Sequence, residues 1–143
     1  GDKQNEVGLD TIDVNNFNAG VLVARHLLEL GHRKIAYLST SLNSEHSARV
    51  RRHDGLKAQI ARFGHGATLS LFTAEIEALT ELNTVDIEHR TGRSLAKRCI
   101  AEEPQVTAMV AINDMVAYGV IDGIKESGFK IPGDYSVCGF DNI

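Results

Sequence analysis

Two cysteines in 143 residues, Cys99 and Cys138, are too few for a disulfide framework, and no CxxC spacing marks a zinc site. Such staples are not needed, because a chain of this length buries roughly two-thirds of the surface it exposes when unfolded. Both cysteines therefore read as small core hydrophobes, Cys99 in an expected helix and Cys138 in an expected strand, of a protein in the reducing cytoplasm. Long hydrophobic runs are lacking too. No stretch of about 18 apolar residues is present to span a bilayer, and residues 1–7 are polar, without the apolar core of a secretory signal. No membrane partner is expected. Positive charge is also short, with 15 Lys and Arg against 19 Asp and Glu and a net charge of −4, which argues against a broad nucleic-acid-binding face.

Signatures of catalysis are missing as well. The sequence contains no Gly-x-Ser-x-Gly, Walker or GxGxxG motif and no Cys and His in a suggestive pairing. Its histidines, His26, His32, His46, His53, His65 and His89, show no metal-ligand spacing. Neither an enzyme nor a metal or cofactor is expected.

What is present is an alternation of strands and helices. Residues 106–112 form a short, nearly continuous apolar run of the kind that a strand buried on both faces shows. Asn113 closes that strand and suits the N-cap of a helix over 114–127, where the charge of Asp114 favours the positive helix end and Gly128 fits the left-handed C′ position. Residues 136–139 return as a strand, with Asp141 in the loop beyond it. Earlier in the chain, 9–14 is expected as a strand, followed by a helix capped at Asn15 or Asn16, running to about Leu30 and stopped by Gly31. A strand over 34–38, a basic amphipathic helix over 48–63 ending at Gly64, a strand over 68–73 and a helix over 89–101 complete the pattern. The acidic stretch 74–88 is expected as a surface insertion. Alternation at this spacing implies βαβ crossovers, hence a three-layer α/β/α sandwich around a mostly parallel sheet. In such sheets ligands bind beyond the carboxyl ends of the strands, where Asn113 and Asp141 both fall. Each also has a plainer role open to it, Asn113 as a helix cap and Asp141 as a loop-capping carboxylate.

The string Leu27-Leu28-Glu29-Leu30-Gly31-His32-Arg33-Lys34-Ile35-Ala36 resembles a segment of the LacI/GalR family of bacterial transcription regulators. Upstream, Asn15-Asn16-Phe17-Asn18-Ala19-Gly20 is similar to that family's Asp-Asn-x-x-Ala-Gly opening, with asparagine replacing the aspartate, and Arg52-His53-Asp54-Gly55 matches its Arg-x-x-Gly element. The fullest match is the pair Thr107-Ala108-Met109-Val110-Ala111-Ile112-Asn113-Asp114 and Ile131-Pro132-Gly133-Asp134-Tyr135-Ser136-Val137-Cys138-Gly139-Phe140-Asp141-Asn142.

The resemblance implies one lobe of a type I periplasmic-binding-protein-like fold. Residues 1–143 are then a single partial domain, the effector-binding lobe, with the DNA-binding headpiece and most of the N-terminal lobe outside the sequence. It implies that Arg52, Asn113 and Asp141 line an effector cleft. Their chemistry suits a sugar, because Arg52 offers a planar fork of donors, Asp141 only accepts and Asn113 does both. Arg52 also has a plainer reading, as one solvated arginine among Arg49, Arg51 and Arg52. Ile87 stands where family members often place an aromatic that stacks on the sugar ring, and it lacks that flat surface. The implied partners are a small-molecule effector, a second copy in a homodimer, and operator DNA through the helix-turn-helix domain alone. The alternative is a lobe of a periplasmic sugar-binding protein that serves a transporter.

Overall fold

The computed structural model describes residues 2–40, 42, 47–74 and 84–140. Its elements are α1 (Asp2–Glu29), β1 (Lys34–Thr40), α2 (Ser47–Phe63), β2 (Thr68–Ala74), α3 (Thr84–Glu102), β3 (Ala108–Ala111), α4 (Asp114–Glu126) and β4 (Ser136–Gly139). The strands form one parallel sheet in the order β2-β1-β3-β4, with Tyr37 opposite Leu71 and Val110, and Val110 opposite Cys138. Two helix pairs, α1 with α2 and α3 with α4, make the most extensive contacts between elements and cover the sheet in the expected three-layer α/β arrangement.

Strand burial follows position in the sheet. The central strands β1 and β3 are buried almost throughout, whereas the edge strands β2 and β4 keep exposed or half-buried positions. A strand covered on both faces reads as a continuous apolar run, which is why 106–112 was legible. Ile35, Tyr37, Leu38, Met109, Val110 and Ile112 form the middle of the core.

Glycines set the carboxyl ends of α1 and α4. Gly31 has φ +100°, its N–H donates to the Leu28 carbonyl, and the next N–H, of His32, reaches the Leu27 carbonyl. Gly128 repeats the pattern at φ +90°, with bonds to Lys125 and, through Phe129, to Ile124. Both are Schellman stops that satisfy otherwise orphaned carbonyls. Other glycines set helix spacing: a Cβ on Gly20 would strike the Arg52 carbonyl oxygen, and one on Gly119 the His89 carbonyl oxygen. Exposed pairs of Arg93 with Glu126 at 2.5 Å and His89 with Asp122 at 2.7 Å also link α3 to α4. The Arg93 fork holds the Glu126 carboxyl down at about 2, yet the pair is solvent-exposed and contributes little to stability.

Two expectations need correction. Residues 9–14 are not a strand but part of α1, which begins at Asp2 rather than at a cap on Asn15 or Asn16. A strand there pairs with no described neighbour, whereas a helix satisfies its backbone N–H and C=O groups within itself. The insertion expected over 74–88 is divided: Ala74 ends β2, and Thr84 to Glu88 open α3. Residues 75–83 lie outside the described residues.

Candidate functional site

All four described strands run parallel, so their carboxyl ends share one rim. The chain leaves β1 for α2 and leaves its neighbour β3 for α4, and these helices belong to different pairs. Connections that diverge from adjacent strands open a crevice at the rim, the usual ligand position in α/β sheets.

Arg52, on α2, reaches into this place. Its Nη1 donates to the Ile112 carbonyl at 3.0 Å and its Nε to Asn16 Oδ1 at 3.0 Å. Its guanidinium lies 4.9 Å from the centre of the Phe140 ring, a cation–π contact. Asn113, the residue after Ile112, is 4% exposed and has extended backbone at φ −158° and ψ 179°. Its Oδ1 accepts from the Val116 N–H at 2.9 Å, so it is the N-cap of α4. Arg52 and Asn113 are thus brought together at the end of β3. Asp141 lies outside the described residues, though Phe140 before it is buried beside Arg52.

The three neighbouring arginines are separated by their contacts. Arg51 pairs with Asp54 at 2.9 Å and lies over the Phe17 ring. Arg49 donates to Thr40 Oγ1 at the end of β1 and lies 3.7 Å from Glu88. Only Arg52 of the three is described bonding to the end of β3. The plain reading of Arg52 as a solvated residue does not hold, since its side chain is part-buried and partnered.

Several residues here escaped sequence reasoning. Glu88 was assigned to a solvated acidic stretch but is 7% exposed and faces Arg49; no local signal distinguished it from its acidic neighbours. Asn16 bonds Arg52, and its place in the Asn-Asn-x-x-Ala-Gly string was the available signal. Tyr37 stacks on His53 with ring centres 5.4 Å apart and meets Phe140 edge-on at 6.4 Å. Burial drives the Tyr37 hydroxyl well above its ordinary range despite the opposing charges of Arg52 and Arg49. The His53 imidazole is pushed down, first by burial and then by Lys57, against the pull of Asp54. The end of β3 therefore gathers a guanidinium and a helix-capping amide beside the buried rings of Tyr37 and Phe140, and the two polar groups are of the types that bind hydroxyl-rich ligands.

A separate open groove of about 450 Å³ lies along α3, lined by Arg90, Arg93, Ser94, Lys97, Arg98, Ala101 and Glu102. Arg93 and Lys97 are engaged by Glu126, and Arg98 by Glu102. It is not the candidate site, because it holds neither Arg52 nor Asn113.

Residues 24–143 match the family described as "Periplasmic binding protein-like domain". The chain belongs to this family. Among curated proteins it is 35% identical over 135 residues to the HTH-type transcriptional repressor PurR of Mannheimia succiniciproducens, a match covering 94% of this chain and 36% of that protein. It is 34% identical over 134 residues to the PurR repressor of Vibrio atlanticus, with the same coverage. Thus the chain spans 36% of the length of these relatives. Among solved structures it resembles a LacI-family transcriptional regulatory protein from Corynebacterium glutamicum, with a TM-score of 0.72, 27% identity, and coverage of 89% of this chain and 43% of that one. It also resembles a LacI-family regulator from Enterococcus faecium solved with bound ribose, with a TM-score of 0.70, 28% identity and coverage of 90% and 42%. This periplasmic binding protein-like domain is of the LacI/GalR regulator type. Among the described residues, no helix is long and apolar enough to cross a membrane.

Proposed function

We propose that this periplasmic binding protein-like domain is the effector-binding part of a cytoplasmic bacterial regulator, and that it takes a small polar metabolite, a sugar, at the rim built by Arg52, Asn113 and Asp141. The observation that carries this reading is the Arg52 fork, fixed at the crevice between β1 and β3 beside Asn113. A ligand hydroxyl buried without a partner costs about 1–3 kcal/mol, so an ordered array of donors and acceptors is what a sugar requires. The ribose bound to the similar Enterococcus faecium regulator supports the ligand class. Ile87, half-buried on α3, supplies an aliphatic contact rather than a stacking ring.

In this reading 1–143 is a single partial domain without catalytic activity. Ligand held against a second lobe shifts the orientation of the lobes, and with it DNA binding by helix-turn-helix headpieces in a homodimer. The repressor relatives favour this over the lobe of a transport protein.

The test is calorimetric titration of the intact regulator with ribose, alongside operator binding. Asp141→Ala should weaken ribose binding at least tenfold, the loss of a charge-assisted hydrogen bond, and leave operator affinity unchanged. Equal ribose affinity in the parent and the variant would remove Asp141 from the site.

A further inference from the structure

Asn16 and Gly20 sit one turn apart on α1 and present to the same face of the helix. Both meet Arg52, by independent contacts. Gly20 lies so close to the Arg52 backbone that a Cβ there would collide with its carbonyl oxygen and with the Leu56 nitrogen. Asn16 Oδ1 accepts from Arg52 Nε at 3.0 Å. On α2 the reciprocal glycine, Gly55, is packed against the Phe17 carbonyl, so the two helices meet backbone to backbone next to this hydrogen bond. Helix α1 is therefore seated on the backbone of Arg52 while one of its side chains holds the guanidinium.

Arginine is among the side chains with most rotamer freedom to lose. A guanidinium already fixed by Asn16, by the Ile112 carbonyl and by the Phe140 ring has little left to lose when a ligand arrives. Nε and Nη1 are committed to the protein in this arrangement, and that commitment sets the plane of the whole fork. Without the Asn16 oxygen, the fork can rotate about its long stem and pays for its ordering at each binding event.

We propose that Asn16 is a positioning residue of the effector cleft: its side-chain oxygen fixes the Arg52 guanidinium against Phe140, with its fork set along the end of β3. The proposal rests on the effector reading given above, and its test separates the two. The first readout is the Arg52 Nε–H resonance in a ¹⁵N–¹H spectrum of the 143-residue chain, assigned with Arg52→Lys. Asn16→Ala should move this resonance and speed its exchange with water, with the urea midpoint nearly unchanged. Asn16→Asp, which keeps the acceptor, should preserve it. If the alanine variant does not fold, Asn16→Ser, too short to reach Nε, takes its place. The second readout is ribose titration of the intact regulator, in which Asn16→Ala should weaken binding roughly three- to tenfold and Asn16→Asp should restore it. An unmoved Arg52 resonance in Asn16→Ala overturns the proposal whatever ribose does. A moved resonance with unchanged ribose affinity overturns it as well. An intact parent regulator that binds no ribose, with the resonance moving as expected, defeats the effector reading for ribose and leaves the hold of Asn16 on Arg52 established.

Discussion

Gly119 of α4 lies against the carbonyl oxygen of His89 on α3, at a distance that leaves no room for a Cβ. Gly92 meets the Val116 carbonyl in the same way from the other helix. Two opposing effects can thus be compared at one position. Intrinsic helix propensity predicts that Gly119→Ala stabilises by about 1 kcal/mol. Overpacking against a neighbouring backbone costs about 1–3 kcal/mol or more, and a carbonyl inside a helix cannot swing aside as a side-chain tip can. Packing should win, with a net loss of about 1 kcal/mol or more in urea unfolding. A stabilised Gly119→Ala would show that α3 and α4 separate easily.

The observed cap role of Asn113 and its proposed ligand role can be separated by chemistry. Aspartate caps a helix as well as asparagine does, so Asn113→Asp should leave the urea midpoint nearly unchanged, whereas Asn113→Ala should cost about 1 kcal/mol. Aspartate has no N–H to donate to a ligand, and ribose affinity should fall at least fivefold in Asn113→Asp. Should ribose bind both chains alike, the residue is a cap and nothing more.

His32 should make stability depend on pH. Its Nδ1 lies 2.7 Å from Thr107 Oγ1 and its Nε2 2.9 Å from Ser136 Oγ, joining the amino-terminal ends of β3 and β4 to the loop before β1. Burial first, and the nearby His26 second, push its affinity for a proton below the ordinary value of 6.5. The unfolded chain regains that value, so below about pH 6.5 it takes up a proton that the folded chain refuses. Stability is therefore full near pH 7.5 and declines as pH falls through 6.5 toward the lowered folded value. His53, lowered in the same direction, adds to the slope. Urea midpoints at pH 7.5 and 5.5 should differ less in His32→Gln than in the parent. Equal differences would exclude the His32 contribution.

Tyr118 is 58% exposed on α4, flanked by the half-buried Met115 and Ile121. If the intact regulator pairs through this helix, Tyr118→Glu should raise the dimer dissociation constant at least tenfold in sedimentation equilibrium, without lowering the urea midpoint of the monomer. A strictly monomeric parent at micromolar concentration would end the homodimer proposal.

Most of the fold was legible because its central strands are buried on two faces and three of its described helices, α1, α2 and α4, end at glycines. Residues 34–38 and 68–73 matched β1 and β2 to within two residues, and Gly31 and Gly128 stop α1 and α4 where their freedom at positive φ places them. Where pairing decides, local pattern failed: 9–14 carries apolar and β-branched residues suited to a strand, but no described strand pairs with it. Glu88 was unreadable for a related reason, since its burial depends on Arg49, 39 positions away in sequence. At the candidate site, the capping geometry of Asn113 followed from residue type and position. The direction of Arg52 did not, because three arginines within four positions offer the same chemistry and only packing separates them.

The parallel sheet has a consequence for how such a domain can change over time. Every described strand points its carboxyl end at the same edge, so under the proposed function ligand choice is written on one side of the molecule, while the clasp of His32 with Thr107 and Ser136 closes the other. Durability and taste are thereby kept in separate hands. Substitutions at the clasp can retune the range of acidity the protein endures while its choice of ligand stays as it was, and turns beyond the opposite edge can be rewritten for a new metabolite on an unaltered frame.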